Sequence, residues 1–302
     1  MTPDNAQSST PFGEDPKAVP GTPASRVRAA ARRMGGLSPT AARVMRICND
    51  PASSPADLAR VVTLDPVLTA RVLHLVNSAY FGLPNPIASI TRAVIMLGAN
   101  TIKNLVLTTS VMERFQAAQA PEGGICPNDF WSHSLKTALV CKFIAKSAGW
   151  AVDQREDLFV SGLLHDIGKL ALDHLPGGIY RSVAEMEGAA GEDRCRQEFE
   201  AMGIDHCESA RILAEEWRLG PFLTSVLAFH HRPAEGPSSL RRAIEWVAAA
   251  DDFVNSLEDS PAPMGDHPVG IPGEPAKVLA AADIRGHLEI ELAKAQAFLH
   301  VG

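Results

Sequence analysis

From about residue 26 onward, apolar residues recur at intervals of three and four, and no segment keeps the strict alternation of a half-buried strand for more than a few residues. A chain with that periodicity must bury helical stripes against one another, so the expected fold is all-α. Start and stop signals divide the pattern. Ser54-Pro55 and Asp65-Pro66 each set an N-capping side chain before a proline at the first helical position, where the missing N–H removes no bond. Ser89 starts, and Gly98 stops, the helix read over SITRAVIML. Two breaks rich in Pro and Gly interrupt the helices, AAQAPEGGICPND (117–129) and EDSPAPMGDHPVGIPGEP (258–275). The reading is a two-lobed helical bundle. It has a disordered tail at 1–25, an N-terminal lobe at 26–116, a linker at 117–124, a second lobe at 125–257, a connection at 258–275 and a terminal helix within 276–302.

At 302 residues and 46% hydrophobic composition, the chain has apolar surface enough for a large core. A net charge of −7 argues against a general nucleic-acid binder, which carries a basic excess or a dense basic stripe. The one short basic stretch, RVRAAARR (26–33), reads as a solvated face on a terminal helix. Cys48, Cys126, Cys141, Cys195 and Cys207 form no CxxC pair and no regular framework, so they are expected to be reduced thiols. No apolar stretch reaches the roughly 18 residues of a membrane span, and the first 25 residues lack the apolar core of a signal peptide. The expectation is a cytoplasmic protein with no membrane partner.

The stretch LLHDIGKL (163–170) sets His165 and Asp166 side by side in an apolar run, with Lys169 one turn later. Polar groups at core-facing positions cost free energy unless something satisfies them. His133 in FWSHSLKTA, His206 in GIDHCESARILAEEW, His230-His231 in LAFHHRP and Asp251 in EWVAAADDF also lie on, or at the end of, predicted helices. A helical bundle can project such side chains to one point. Imidazoles with interspersed carboxylates suit a divalent transition metal: Mn, Fe, Co, Ni or Zn. Five histidines and two carboxylates exceed one ion's needs, so the set has room for two ions, which could clamp a phosphoryl group and activate water. Lys169, three residues after Asp166 and four after His165, lies near the same face and offers a point charge to a phosphate. Asp129, four residues before His133, is a lesser candidate, and Asp252 competes with Asp251 because adjacent helical positions point about 100° apart. The competing reading satisfies each histidine by hydrogen bonds, uses Asp166 as a helix cap and lets Lys169 reach water. His74, His174, His267, His287 and His300 belong to no cluster.

The order His133, His165-Asp166, Lys169, His206, His230-His231, Asp251 resembles the HD superfamily of metal-dependent phosphohydrolases, particularly its HD-GYP branch, over roughly residues 125–257. That resemblance implies that His133, His165, Asp166, His206, His230, His231 and Asp251 bind two metals and that Lys169 approaches the phosphate. RPAEG follows His230-His231 where HD-GYP proteins carry the Gly-Tyr-Pro signature associated with cyclic di-GMP hydrolysis. A second resemblance covers more of the chain. LSPTAARVMRICNDP, DLARVVTLDPVLTARVLHLVNSAYFG and IASITRAVIMLGANTIKNLVL closely resemble the HDOD domain, from about Leu37 to Phe253. HDOD proteins resemble HD hydrolases in fold, are regarded as signalling or output modules and have no established common enzymatic activity. Many have lost the ligands that this sequence retains.

The leading expectation is therefore a cytoplasmic HDOD signal-transduction protein that works through a signalling protein partner and keeps an HD-type metal site. The alternative is an active metal-dependent phosphohydrolase taking a nucleotide, cyclic nucleotide or other phosphoester, with Lys169 in the catalytic role of phosphate support. A third reading is a scaffold with a hydrogen-bonded histidine cluster. In the first lobe, Leu68, Val72, Leu75 and Val76 give the helix after Asp65-Pro66 its buried stripe, and Asn77 and Ser78 can satisfy backbone groups at its end. Gly82 permits the following turn. Arg71 and Arg92 either form part of an anionic-ligand or partner surface or, as the more ordinary reading, make solvated ion pairs.

Overall fold

A computed structural model describes residues 21–50, 52–117, 121, 123–184, 186, 191–259, 275, 278–279 and 284–300. The expected tail over 1–20 and the connection over 260–274 lie outside the described residues. Within them every regular element is helical: α1 (Pro23–Met34), α2 (Pro39–Cys48), α3 (Pro55–Thr63), α4 (Pro66–Val76), α5 (Ile90–Leu97), α6 (Ala99–Ala117), α7 (Pro127–Ser147), α8 (Val152–Leu164), α9 (Ile167–Asp173), α10 (Ile179–Ala184), α11 (Gly191–Met202), α12 (His206–Glu216), α13 (Pro221–Phe229), α14 (Arg241–Asp259) and α15 (Ile284–Lys294), which runs into a 3-10 segment, Ala295–His300. None of these helices is long and apolar enough to cross a membrane.

The helix starts follow local chemistry. Ser54 accepts from the Asp57 N–H while Asp57 accepts from the Ser54 N–H, a reciprocal cap for α3. Asp65 accepts from the Leu68 N–H at 3.0 Å, and Ser89 from the Arg92 N–H at 3.3 Å. Gly98 closes α5 with φ of 88°, a backbone conformation that side chains with a Cβ avoid. Thr22 caps α1, so residues 23–25, which the sequence pattern assigns to the tail, are helical.

Helices α2 to α6 form the first lobe, with α2 on α3 and α6, and α4 on α5 and α6. Leu58, Leu75, Ile90, Ile102, Leu107 and Met112 fill its interior. Asn77 does more than close α4. Its Nδ2 donates to the Ile87 carbonyl at 2.9 Å and its Oδ1 accepts from the Ile87 N–H at 2.7 Å, pinning the 78–89 loop as a strand partner would. Arg71 pairs with Glu113, and Arg92 is exposed.

In the second lobe α7 packs on α8 and α14, while α12 packs on α9 and α13; α6 lies against α8 and joins the lobes. Helix α1, which the sequence reading places within the N-terminal lobe, packs chiefly on α12 of the second lobe. Arg28 pairs with Glu215 at 3.7 Å and Arg32 with Glu216 at 3.3 Å, so part of the basic stretch meets the acidic end of α12 instead of solvent. Helix α15 docks on α7. Beyond it, Phe298 is buried between Tyr80 of the first lobe and Phe159 of α8. Two glycines set the approach of helices in the second lobe. A Cβ on Gly168 would stand 1.8 Å from the His206 carbonyl oxygen, and one on Gly162 would stand 2.9 Å from Ala138 Cα. Backbone contact between α9 and α12, and between α8 and α7, is therefore written into the GLLHDIG sequence itself.

Candidate metal centre

LLHDIGKL is not one continuous helix. His165 is the C-cap of α8 and Asp166 the N-cap of α9, so the doublet occupies the junction. Asp166 makes no capping bond, which removes the ordinary reason for an aspartate at that position. Its side chain turns inward instead, and it is 2% exposed. The other groups arrive from helix ends and two helix interiors: His206 opens α12, His230 closes α13 with His231 behind it, His133 projects from α7 and Asp251 from α14. His165, His206 and His230 are fully buried.

Four of the five imidazoles, all but His231, are held by Nδ1. His165 donates from Nδ1 to the Gly162 carbonyl at 2.8 Å, and His230 to the Leu227 carbonyl at 3.0 Å. A carbonyl oxygen can only accept, so Nδ1 carries the proton and Nε2 is the free position. His206 Nδ1 meets Glu198 Oε2 at 2.6 Å, and His133 Nδ1 meets Glu258 Oε2 at 3.1 Å. The Nε2 atoms converge on two carboxylates. His133 and His165 stand 3.1 and 3.3 Å from Asp251 Oδ1; His165 stands 3.3 Å from Asp166 Oδ2; His206 and His230 stand 3.4 and 3.8 Å from Asp166 Oδ1.

Hydrogen bonding does not complete this arrangement. His165 Nε2, Asp166 Oδ1 and His231 Nε2 are buried with no hydrogen-bond partner, a state that polar atoms rarely keep without an unseen ion or water. Nitrogen and oxygen ligands about 2.1 Å from an ion lie about 3.0–3.4 Å from one another, which matches most of the separations above. Two groups of donors form around Asp166: His133 with His165, and His206 with His230 and His231. The Nδ1 anchors are the supports that metal-binding histidines use to fix ring orientation. The donor set fits a divalent transition metal.

The charges agree. Burial opposes ionisation of Asp166, yet His165 and Lys169 hold its carboxyl well below the usual range; His165 does the same for Asp251, with the His133 hydrogen bond adding to it. Burial alone would lower His165, but Asp166 and Asp251 outweigh it and bring its pKa up to about 10. His133 and His206 are also raised against burial, by Asp251 and Glu258 and by Glu198 respectively. Burial lowers His230 and His231. Without a metal the carboxylates therefore recruit protons onto neighbouring imidazoles, which measures how much positive charge the site demands.

The structure brings all seven sequence-derived ligands into one cluster and sorts the ambiguous ones. Asp251 faces the histidines, while Asp252 points outward and burial with the neighbouring Asp251 charge raises it to about 6. Asp129 is exposed. Lys169 Nζ stands 2.5 Å from Asp166 Oδ2, and 26% of its side chain is exposed. His174 bonds the Leu170 carbonyl and His287 packs on Phe143, both away from the cluster. His267 lies outside the described residues. Sequence reasoning missed Glu198, Glu258, Cys195 and Cys207. Glu198 is fully buried, accepts from the His206 N–H at 2.7 Å as well as facing its ring, and receives the Tyr180 hydroxyl at 3.3 Å. Its signal was present: Cys195, Glu198 and Met202 form the buried stripe of α11, so an acid stood on an apolar face. Cys207 hydrogen-bonds Cys195 and brings that thiol down to about 6 against burial. A cleft of 400 Å³ reaches His230 and His231 and is lined by Glu192, Glu245 and Asp252, with no lysine or arginine among its described lining residues.

The family model for the HDOD domain matches residues 34–233. A curated relative, an uncharacterized protein of Treponema pallidum (strain Nichols), is 23% identical over 217 residues; that stretch is 71% of this chain and 41% of the length of that protein. The chain thus spans well under half of that relative. A crystal structure of a candidate phosphohydrolase from Shewanella amazonensis SB2B superposes with a TM-score of 0.67 at 25% identity, covering 92% of this chain and 97% of that one. An HDOD domain protein of unknown function from Geobacter sulfurreducens superposes with a TM-score of 0.66 at 26% identity, covering 91% and 97%.

Proposed function

This chain belongs to the HDOD family, and from that premise we propose that it is a cytoplasmic signal-output protein whose second lobe is completed by a divalent transition metal. The observation that carries this reading is the set of Nδ1-anchored imidazoles whose Nε2 atoms face Asp166 and Asp251, with three buried polar atoms left unpartnered. His133, His165, Asp166 and Asp251 would hold one ion, and His206, His230 and His231 a second beside Asp166. A bound metal supplies the positive charge the carboxylates require and a Lewis-acidic position. Glu198 and Glu258 orient His206 and His133. Lys169 neutralises Asp166 from the solvent side. Output through protein–protein contacts is supported by exposed apolar side chains on neighbouring helices of the first lobe, Leu64, Val67, Ile95 and Met96.

Charge in the cleft favours this reading over hydrolysis. Glu192, Glu245 and Asp252 flank the route to His230 and His231, and carboxylates repel an approaching phosphoester. The phosphohydrolase alternative rests on Lys169, which stands beside the ligand set with part of its side chain in solvent, and on the Shewanella fold relative. Elemental analysis of protein purified without added metal tests the first half of the proposal, and turnover of cyclic di-GMP and of a generic phosphodiester tests the second. Wild type should carry a transition metal, Asp166→Ala should lower its metal content by the ion held at Asp166, and Lys169→Ala should leave it unchanged because an ammonium has no lone pair. Turnover by the metal-loaded protein should not exceed that of Asp166→Ala. A metal-free wild type would leave the cluster as hydrogen-bonded scaffold, and turnover abolished by Asp166→Ala would make the protein an enzyme.

A further inference from the structure

We propose that Cys195, Cys207, His206 and His231 form an alternative, thiolate-rich cation site, overlapping the histidine cluster at His206 and His231, that takes a soft divalent metal of the zinc class. The four donors come from α11, α12 and the turn after α13, and their ligand atoms all lie within 4.8 Å of one another. Cys195 Sγ and Cys207 Sγ are 3.7 Å apart, and Cys207 Sγ is 3.7 Å from His206 Nε2. Around a tetrahedral ion with bonds of about 2.3 Å to sulfur and 2.05 Å to nitrogen, two sulfurs stand about 3.8 Å apart and a sulfur–nitrogen pair about 3.6 Å. The observed spacings are those of a ligand edge and far exceed a disulfide bond of about 2.05 Å.

Two further observations point the same way. His231 Nε2 is buried with no hydrogen-bond partner, and Glu198 fixes the His206 ring through Nδ1, leaving Nε2 toward Cys207. Charge closes as well. Two thiols release their protons to solvent on binding, so two thiolates and two neutral imidazoles cancel a divalent ion inside a buried pocket, where an uncompensated charge would be costly. The proposal does not rest on the function suggested above, because it uses neither Asp166 nor Asp251. It does compete with it for His206 and His231: a soft ion settled on the thiolates draws both imidazoles away from Asp166. Cys195 also borders a 630 Å³ cleft with Asp205 and Arg232, which gives an entry route separate from the one beside His231.

Cobalt(II) replaces zinc and reports its ligands by absorption, so the full chain loaded with cobalt is the test. Wild type should show thiolate-to-cobalt charge-transfer absorption in the near ultraviolet together with intense tetrahedral visible bands. Asp166→Asn should keep those bands; a Cys195→Ser/Cys207→Ser double variant should lose them with one equivalent of bound metal. Zinc-edge X-ray absorption on wild type, which needs no variant to fold, should find two sulfurs at about 2.3 Å. Absence of sulfur ligation in the zinc or cobalt protein, or unchanged bands in the double variant, would overturn the proposal. Bands that persist in Asp166→Asn while elemental analysis shows no Asp166-dependent ion would leave it standing and remove only the centre on Asp166.

Discussion

The two lobes bury polar groups of different kinds. In the first, the buried polar side chains among the described residues are Thr101, Asn104, Thr108, Thr109 and Ser110, none of which ionises near neutral pH. In the second they include Glu156, His165, Asp166, Asp173, Glu198, Asp205, His206, His230 and Asp251. Both lobes are helical, share one apolar core and have capped helices, so the difference is not one of fold class. It is a difference in what completes the interior. The first lobe's interior is apolar packing around neutral groups: Thr101 donates to the Leu97 carbonyl and Asn104 to Asp157, while the Thr108, Thr109 and Ser110 hydroxyls are buried without a hydrogen-bond partner but carry no charge. In the second, Glu156 pairs with Lys142, Asp205 with Arg232 and Asp166 with Lys169, whereas Asp251 and Glu198 face imidazoles, which balance them only by taking up protons or a metal. Stability in the first lobe should be indifferent to metal and pH, and stability in the second should answer to both.

The sharpest contrast comes from the largest effect. Leu75 is fully buried in α4, and Leu75→Ala should cost about 2–5 kcal/mol. Denaturant unfolding should give the same loss with and without a chelator; a metal-dependent loss would break the separation of the lobes. Gly168→Ala comes next. Its Cβ would meet the His206 carbonyl oxygen at 1.8 Å, so α9 must move from α12 at about 3 kcal/mol, the upper part of the range for overpacking. Metal content should fall with it, because Asp166 and His206 separate. Gly36→Ala, where nothing lies within 4 Å of the added carbon, is the control and should change the melting point little. Asn77→Ala strips Ile87 of both its bonds and should cost about 2 kcal/mol for the groups left unpaired, with metal content unchanged.

The most gradual effect is that of pH. His165 has its folded pKa raised from 6.5 to about 10. In chelated protein its contribution should be complete below about pH 6.5 and fade as pH climbs toward 10. Asp166 and Asp251, held below 3.8, contribute above that value and lose their contribution as pH falls through their depressed folded range. Metal loading deprotonates the histidines, so the alkaline loss should vanish when metal is present. Melting of chelated and loaded protein at pH 6.5 and pH 9.5 measures this directly. An equal alkaline loss in both would place its origin outside the cluster.

What was legible in the sequence follows the same division. The caps at Ser54, Asp65 and Ser89 act over three residues, so each could be read locally and each is present. The ligand histidines were legible by their order along the chain. Their anchors were not. Glu258 reaches His133 across 125 residues and Glu198 reaches His206 around the Gly203 turn, and no short spacing announces contacts made by tertiary packing. Asp166 was open between cap and ligand, because an aspartate before a helix serves as either. Only the missing cap bond and the unpartnered Oδ1 distinguish them. The docking of α1 on α12 was likewise hidden, since an amphipathic stripe says that a helix is covered without saying by what.

Amide hydrogen exchange on the full chain, metal-loaded and then chelated, tests the central claim most directly. A metal bound only by the folded state adds about 2.7 kcal/mol at a hundredfold excess over its dissociation constant, and exchange shows where in the chain that stabilisation is spent. The account predicts that chelation raises exchange in α9, α12 and α13 and at the Asp251 turn of α14, while α2 to α6 keep their protection. Exchange that is identical with and without metal, or that rises equally in both lobes, would contradict it.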